Sequence, residues 1–168
     1  TGNSAANVLS GGMGADTLLG GAGDDTYVVD HVGDVVTEQA NDGTDLVQSS
    51  VSFALGANVE HLVLTGTEAI NWTGNSLNNS LTGNSATNVL TGGVGDDLYN
   101  VSTGDTVVEQ ANAGIDTVQS DVTWTLSADI ENLTLTGTGA INGTGNSLNN
   151  VLTGNSCLLY TSPSPRDR

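Results

Sequence analysis

A step of nine residues, repeated with glycine at fixed places, constrains this chain more than any other feature of its sequence. The step is complete in three places, with glycine at positions one, two and four and aspartate at position six. These segments read GGMGADTLL over 11–19, GGAGDDTYV over 20–28 and GGVGDDLYN over 92–100. Because position eight is leucine or tyrosine, the last three residues predict a short strand and the first six a turn. Short strands separated by such turns favour a stack of many small layers.

Degenerate copies of the step fill much of the remaining sequence. Two of them, ANDGTDLVQ over 40–48 and ANAGIDTVQ over 111–119, keep glycine at position four and aspartate at position six. Four others begin with Gly-Asn-Ser and carry asparagine in place of the aspartate, at Asn7, Asn79, Asn88 and Asn150. Since asparagine is neutral, we expect these four to link successive turns through side-chain amide hydrogen bonds instead of binding ions.

The chain also contains a longer sequence repeat, which spans several nine-residue steps. Thr1–Leu9 returns as Thr82–Leu90, and Val36–Asn41 returns as Val107–Asn112. The first offset is 81 residues and the second is 71, and the unit 11–19 accounts for nearly all of that difference. We therefore interpret nine residues as one structural step. The sequence predicts one repeat solenoid over 1–156, made of long repeats 1–81 and 82–156.

The charge of the chain is strongly negative. It has 19 acidic residues and two basic ones, which are Arg166 and Arg168, so residues 1–156 contain no Lys and no Arg. Uncompensated charge of one sign opposes a compact state through self-repulsion, so the balancing positive charge must come from outside the chain. Nucleic acid is excluded as a partner, because binding phosphates requires Lys or Arg.

The three complete steps resemble the RTX, or haemolysin-type, calcium-binding repeats, whose pattern is G-G-x-G-x-D-x-U-x with U a large apolar residue. The resemblance implies Ca²⁺ as the bound ion. It also implies an all-β fold, a parallel β-roll or β-solenoid of stacked nonapeptide turns. Two turns and two strands, about 18 residues, would complete each coil.

Calcium takes six to eight oxygen ligands at about 2.3–2.6 Å, more than one such turn supplies. Because steps alternate between the two edges of a coil, partners should lie two steps apart. The predicted pairs are Asp16 with Asp34, Asp25 with Asp45, and Asp97 with Asp116. The full set of predicted metal-binding residues is Gly12, Gly14, Asp16, Gly21, Gly23, Asp25, Asp34, Gly43, Asp45, Gly93, Gly95, Asp97, Asp105, Gly114 and Asp116. Asp24 and Asp96, at position five, should point outward.

The resemblance also implies a setting for the protein. RTX chains leave the bacterial cell unfolded through a dedicated secretion channel and fold on calcium outside it. We therefore expect an extracellular or cell-surface location, with further domains of a larger parent protein upstream or downstream. The long repeat favours the stalk of an adhesin or toxin. Alternatives are the folding module of a secreted protease, lipase or polysaccharide-modifying enzyme and, less favoured, an ice-binding solenoid.

No enzymatic activity is expected of this stretch by itself. It contains no Gly-x-Ser-x-Gly motif of serine hydrolases,. No apolar run approaches the roughly 18 residues of a membrane span. Residues 157–168 share nothing with the repeats and hold the only cysteine, prolines and arginines. They resemble a translated sequencing adapter and are predicted to form an unstructured tail. The first residue is not methionine, so we expect an internal piece of a longer protein.

Overall fold

The computed structural model describes residues 1–157, so the predicted tail lies outside the described residues apart from Cys157. The described residues form only short parallel strands, and none of them forms a helix that could cross a membrane. The strands are β1 (Val8–Ser10), β2 (Thr17–Leu19), β3 (Thr26–Val29), β4 (Val35–Thr37), β5 (Leu46–Ser49), β6 (Phe53–Ala54), β7 (His61–Leu64), β8 (Trp72–Thr73), β9 (Ser80–Thr82), β10 (Val89–Thr91), β11 (Leu98–Val101), β12 (Thr106–Val108), β13 (Thr117–Ser120), β14 (Trp124–Thr125), β15 (Asn132–Leu135), β16 (Gly143–Thr144) and β17 (Val151–Thr153).

The strands form two walls of a solenoid. All odd-numbered strands pair in chain order into one parallel sheet of nine strands, from β1 to β17. The even-numbered strands form the opposite wall as three separate sheets, β2–β4, β6–β12 and β14–β16. Since each coil contributes one strand to each wall, the molecule is a parallel β-solenoid of about eight turns. The predicted all-β fold is confirmed.

The core is a file of apolar side chains stacked one per coil. Successive side chains of a strand point to opposite faces, and in the nine-stranded sheet the second residue of each strand points inward. In the nine-stranded sheet these residues pair in register as Leu9, Tyr27, Val47, Leu62, Leu81, Tyr99, Val118 and Leu133. All eight are buried. A second file on the opposite wall, including Leu18, Val36, Trp72, Leu90 and Val107, packs against the first.

The structural repeat is four coils long. Hydrogen bonds between successive coils join residues 18, 20, 15 and 19 positions apart in the first repeat. The corresponding separations in the second repeat are 18, 19, 15 and 19 positions. Val8 lies in the nine-stranded sheet and Val89 in the opposite wall. The 81-residue offset therefore joins segments on different walls, and the structure aligns 2–10 with 74–82 and 11–19 with 83–91.

Candidate calcium sites

The turns of the solenoid lie along two edges. We call the turns that lead into the nine-stranded sheet the first edge, and those that lead into the opposite wall the second edge. The residues just before the strands of the first edge are Asn7, Asp25, Asp45, Glu60, Asn79, Asp97, Asp116, Glu131 and Asn150. On the second edge Asp16, Asp34, Asn88 and Asp105 hold this position. The polar residues of the nonapeptide thus form one row on each edge.

Carboxylates of the first edge accept hydrogen bonds from the coil before them. The amide of Asn7 donates to Asp25 Oδ1 at 2.7 Å, that of Asp25 to Asp45 Oδ1 at 2.8 Å, and that of Asp45 to Glu60 Oε2 at 2.9 Å. In the second repeat the same bonds join Asn79, Asp97, Asp116 and Glu131 at 2.7, 2.8 and 2.8 Å. The predicted pairs Asp25–Asp45 and Asp97–Asp116 are therefore adjacent in space.

The second oxygen of each of these aspartates has no partner. Oδ2 of Asp25, Asp45, Asp97 and Asp116 is buried without a hydrogen bond, as is Asp16 Oδ2 on the second edge. A buried ionised oxygen without a compensating charge or hydrogen bond is strongly unfavourable. Residues 1–156 hold no Lys or Arg that could supply the charge.

Glutamate from outside the nonapeptide pattern completes a three-carboxylate group in each repeat. The first triad is Asp25, Glu38 and Asp45, and the second triad is Asp97, Glu109 and Asp116. Five of these six residues are buried, and Glu109 is half-buried. In each triad, one oxygen of each residue lies within 4.8 Å of the oxygens of the other two. Oxygens that share one Ca²⁺ at about 2.3–2.6 Å can be at most about 5 Å apart, so each triad fits a single calcium ion.

The two glutamates were not among the predicted site residues. Each follows a strand of the opposite wall, β4 or β12, and opens the turn that carries the next aspartate of the first edge. A sequence signal was available: Glu38-Gln39 and Glu109-Gln110 stand between a degenerate step and the next one. This dipeptide interrupts the nine-residue spacing at the same place in both repeats.

Burial, together with the crowding of carboxylates, raises the pKa values of four triad residues. Burial, followed by the charge of Asp45, raises the pKa of Glu38 to about 7. Burial, with the charge of Asp116, raises the pKa of Asp97 and of Glu109 to about 7. Asp116 has its pKa raised to about 6, mainly by burial. These sites therefore hold negative charge that the protein alone does not stabilise.

Glycine serves the predicted turns in two ways. Six of the predicted glycines, Gly12, Gly14, Gly21, Gly23, Gly93 and Gly95, have φ between 80° and 124°. Side chains disfavour this backbone region. Gly43 and Gly114 serve instead as points of close approach, because a Cβ there would collide with the carbonyl oxygen of Gly23 or Gly95 in the preceding coil. The backbones of successive turns therefore lie close together on the first edge.

The second edge uses its aspartates differently. Asp34 lies against Asp16 as predicted, with the Asp16 amide donating to Asp34 Oδ1 at 3.0 Å. Its other oxygen accepts the amides of Asp30 and His31, both at 3.2 Å. Burial opposes ionisation of Asp34, but these three amides outweigh it and lower the pKa of the carboxyl. Asp34 is thus a carboxylate that the protein itself stabilises.

Asp105 repeats this arrangement beside an asparagine. It accepts the Asn88 amide on Oδ1 at 2.9 Å and the Ser102 amide on Oδ2 at 2.8 Å. Both oxygens of Asp105 are therefore engaged, and its neighbour Asn88 is uncharged. Of the predicted aspartates, Asp34 and Asp105 have the fewest free acceptor positions.

Three of the four asparagine steps link coils as predicted, although the acceptors are backbone carbonyls, whereas the Asn7 side chain accepts the Asn3 amide within its own turn. Asn79 Nδ2 donates to Val59 O at 3.1 Å, and Asn88 Nδ2 donates to Ile70 O at 2.7 Å. Asn150 Nδ2 donates to Ile130 O at 2.9 Å. These turns satisfy their own polar groups without an ion.

The fold and the rows of buried carboxylates define a calcium-binding β-roll. The family model of the RTX calcium-binding nonapeptide repeat matches the chain in four copies, over residues 1–28 and 73–108. The chain carries RTX calcium-binding repeats, and the resemblance drawn from its nonapeptides is confirmed. No curated protein and no solved structure matches the chain. Glu38, Asp45, Glu109 and Asp116 lie outside the matched segments, although the structure places them against the matched aspartates.

Proposed function

We propose that this chain is a segment that folds on calcium binding, part of a larger secreted or surface bacterial protein, in which it forms a stalk. The observation that carries the proposal is the row of buried, unpartnered aspartate oxygens on the first edge. Bound Ca²⁺ would supply the positive charge that residues 1–156 lack. The residues that would hold it are the aspartates of the two triads and Asp16.

The chain's own residues explain why folding and ion binding are coupled. Asp25, Asp45, Asp97 and Asp116 each bond the amide of one coil through Oδ1 and present Oδ2 to the interior of the turn. Stacking two coils therefore brings two carboxylates together. Their repulsion opposes coil formation until a cation is bound. Binding free energy then becomes folding free energy by linkage.

A location outside the cell gives this coupling a use. Calcium modules that work outside cells bind at about 10⁻⁴–10⁻³ M, so a chain with sites in this range would stay unfolded where calcium is scarce. The four-coil period favours a stalk, since each further repeat would extend the same two walls. Sequencing the flanking gene distinguishes a stalk from the folding module of a secreted enzyme.

Ice binding has less support. An ice-binding face requires a regular row of threonine, and both outward rows of the nine-stranded sheet are mixed. One row runs through Val8, Thr26, Leu46, His61, Ser80, Leu98, Thr117, Asn132 and Val151, and the other through Ser10, Val28, Gln48, Val63, Thr82, Asn100, Gln119, Thr134 and Thr153.

Calcium titration of the purified chain, followed by circular dichroism and calorimetry together, tests the proposal. We expect little β signal in chelator and a cooperative rise in β signal as calcium reaches the millimolar range. Heat of binding should appear over the same concentrations. An identical β signal in chelator and in calcium would refute calcium-coupled folding.

A further inference from the structure

The inserted glutamates provide a ligand that the nonapeptide does not contain. Glu38 and Glu109 open turns of the first edge, at the position that Gly20 and Gly92 hold in the preceding coil. Their carboxylates extend over those glycines. A Cβ on Gly20 would collide with Glu38 Oε1, and one on Gly92 with Glu109 Oε1. Each glutamate therefore reaches the interior of the turn that holds the aspartate pair.

A buried tyrosine hydroxyl is directed into each triad. Tyr27 is fully buried, and its hydroxyl has no hydrogen-bond partner. The hydroxyl lies beside Glu38 Oε1 and Asp25 Oδ2, because the same Cβ on Gly20 would collide with all three oxygens. In the second repeat the Tyr99 hydroxyl donates to Glu109 Oε1. An apolar residue at this core position would fill the space equally well, so the hydroxyl points to a polar role inside the turn.

Both oxygens of Glu38 are also buried without a partner. Together with Asp25 Oδ2 and Asp45 Oδ2, the first triad has four buried carboxylate oxygens without a partner, and one oxygen of each residue faces the same small space, within 4.8 Å of the other two. The tyrosine is the only other polar side chain among the described residues shown to enter it. Three carboxylates are one more than an aspartate pair of the nonapeptide provides.

We propose that Glu38 and Glu109 each complete a three-carboxylate calcium site, and that these two sites bind calcium more tightly than any other site in the chain. The inference rests on the proposed calcium-dependent folding and assigns its two strongest sites, one per four-coil repeat. Tyr27 and Tyr99 are positioning residues that orient the glutamate carboxylates toward the ion. Calcium affinity rises with the number of charged ligands and the rigidity of the site, and each triad has both.

The pair at the second edge provides the internal contrast. Asp16 and Asp34 are two carboxylates without a third, and both oxygens of Asp34 already accept backbone amides. The second edge should therefore bind calcium only after the triads are filled. Calcium would then bind first at the triad of each repeat and afterwards at the sites of the neighbouring coils.

Competition titration with a chromophoric calcium chelator tests the proposal on the full chain. We expect two tightly bound ions in the unmodified protein, one in Glu38→Gln, one in Glu109→Gln and none in the double variant. The affected site should weaken by about tenfold or more. Glu68→Gln, at an exposed glutamate remote from both triads, is the matched control and should retain both tight ions. Circular dichroism at saturating calcium checks that each variant folds.

Terbium emission excited through tyrosine is the second measurement, and it does not require a glutamate substitution. Tyr27→Phe with Tyr99→Phe keeps all six carboxylates and should lose most of the sensitised emission, because these hydroxyls lie beside the ions. The tight sites of this variant should weaken less than those of the glutamine variants. This measurement decides the matter if a glutamine variant does not fold.

The outcomes separate the two proposals. Two tight ions of unchanged affinity in both glutamine variants, or full emission in the phenylalanine variant, would overturn the role of the triads while leaving calcium-coupled folding intact. An unmodified chain that binds no calcium would refute both.

Discussion

Two neighbouring turns of the first edge, 74–79 and 92–97, follow the same path but are held in place by different means. In turn 74–79 the side chain of Asn75 donates to Gly56 O and Val59 O of the preceding coil, both at 2.7 Å. Asn79 adds a further side-chain bond to Val59 O at 3.1 Å. The asparagine turn therefore closes onto its neighbour with neutral amides alone.

Turn 92–97 has no comparable side-chain donor. Gly93 replaces the first asparagine and has φ of 107°, and Asp97 replaces the second with a carboxylate whose Oδ2 is unpartnered. The comparison shows that the same stacking can be stabilised by amides or by carboxylates that need a cation. The proposed calcium dependence is thus a local property of the acidic turns, and the asparagine turns separate one acidic group from the next.

The largest expected effect comes from filling the interior of an acidic turn. Gly92→Ala would place a Cβ against Asp97 Oδ2, the Tyr99 hydroxyl and Glu109 Oε1. We expect the free energy of unfolding at saturating calcium to fall by about 3 kcal/mol, measured by urea denaturation. Gly139→Ala, where a Cβ meets nothing within 4 Å, is the control and should change stability by less than about 0.5 kcal/mol,. Equal effects of the two changes would show that the interior of the turn is not packed as described.

Removing an asparagine side chain should destabilise the fold without altering ion binding. Asn79→Ala deletes the donor to Val59 O and the acceptor of the Asn75 amide, which lies 2.8 Å from Asn79 Oδ1. Loss of these buried bonds should lower the free energy of unfolding at saturating calcium by about 2 kcal/mol. The number of bound calcium ions, measured by calorimetry, should stay the same. A lost ion would mean that the asparagine turn is itself part of a calcium site.

The pH dependence of the calcium-free chain should have the opposite sign to that of the calcium-bound chain. The pKa values of Glu38, Asp97 and Glu109 are raised to about 7 in the folded state. In the unfolded chain they return to about 4. The folded state therefore holds more protons on these groups between the two values, so their contribution to its stability is fully present below about pH 4 and is lost as pH rises through about 7.

We expect more β signal in chelator at pH 5 than at pH 8, as measured by circular dichroism. Each extra proton held by the folded state contributes up to about 1.4 kcal/mol per pH unit. At saturating calcium the preference should reverse, because the metal binds deprotonated carboxylates. A calcium-free chain that is more stable at pH 8 would contradict the crowding of carboxylates in the triads.

The smallest effect is expected at the outward-facing aspartates. Asp24 and Asp96 are exposed, as predicted from position five, and accept the amides of Thr44 and Ile115 at 2.9 and 2.8 Å. Because Asp24→Asn keeps an acceptor oxygen, the free energy of unfolding should change by less than about 0.5 kcal/mol, as measured by urea denaturation. The number of bound calcium ions should stay the same. A lost calcium ion would place Asp24 in the binding site.

The nine-residue spacing predicted short strands separated by turns, and the resemblance to RTX repeats that this spacing carries implied the β-solenoid. It also predicted which aspartates meet: Asp25 lies on Asp45, and Asp97 on Asp116. The part of Glu38 and Glu109 in the triads was not predicted. These residues stand between steps, and the prediction considered only positions within a step.

Two further features depend on contacts that residue type does not reveal. Glu60 and Glu131 continue the row of the first edge because the coils that they close are 15 residues long. In these shorter coils the turn no longer matches the nine-residue step, so it cannot be recognised in the sequence. The engagement of both Asp34 oxygens depends on the backbone amides of Asp30 and His31, which lie four and three residues before Asp34. Insertions and short coils therefore carry information that a fixed nine-residue frame discards.

The two walls of the solenoid also differ in how they would carry load. Nine strands run without interruption along one wall, while the other is divided after β4 and after β12. These divisions fall at equivalent places of the two four-coil repeats. A long array of such repeats would act as a beam with one continuous side and one jointed side, so it should bend most easily at a joint in every repeat and resist stretching mainly through its continuous wall.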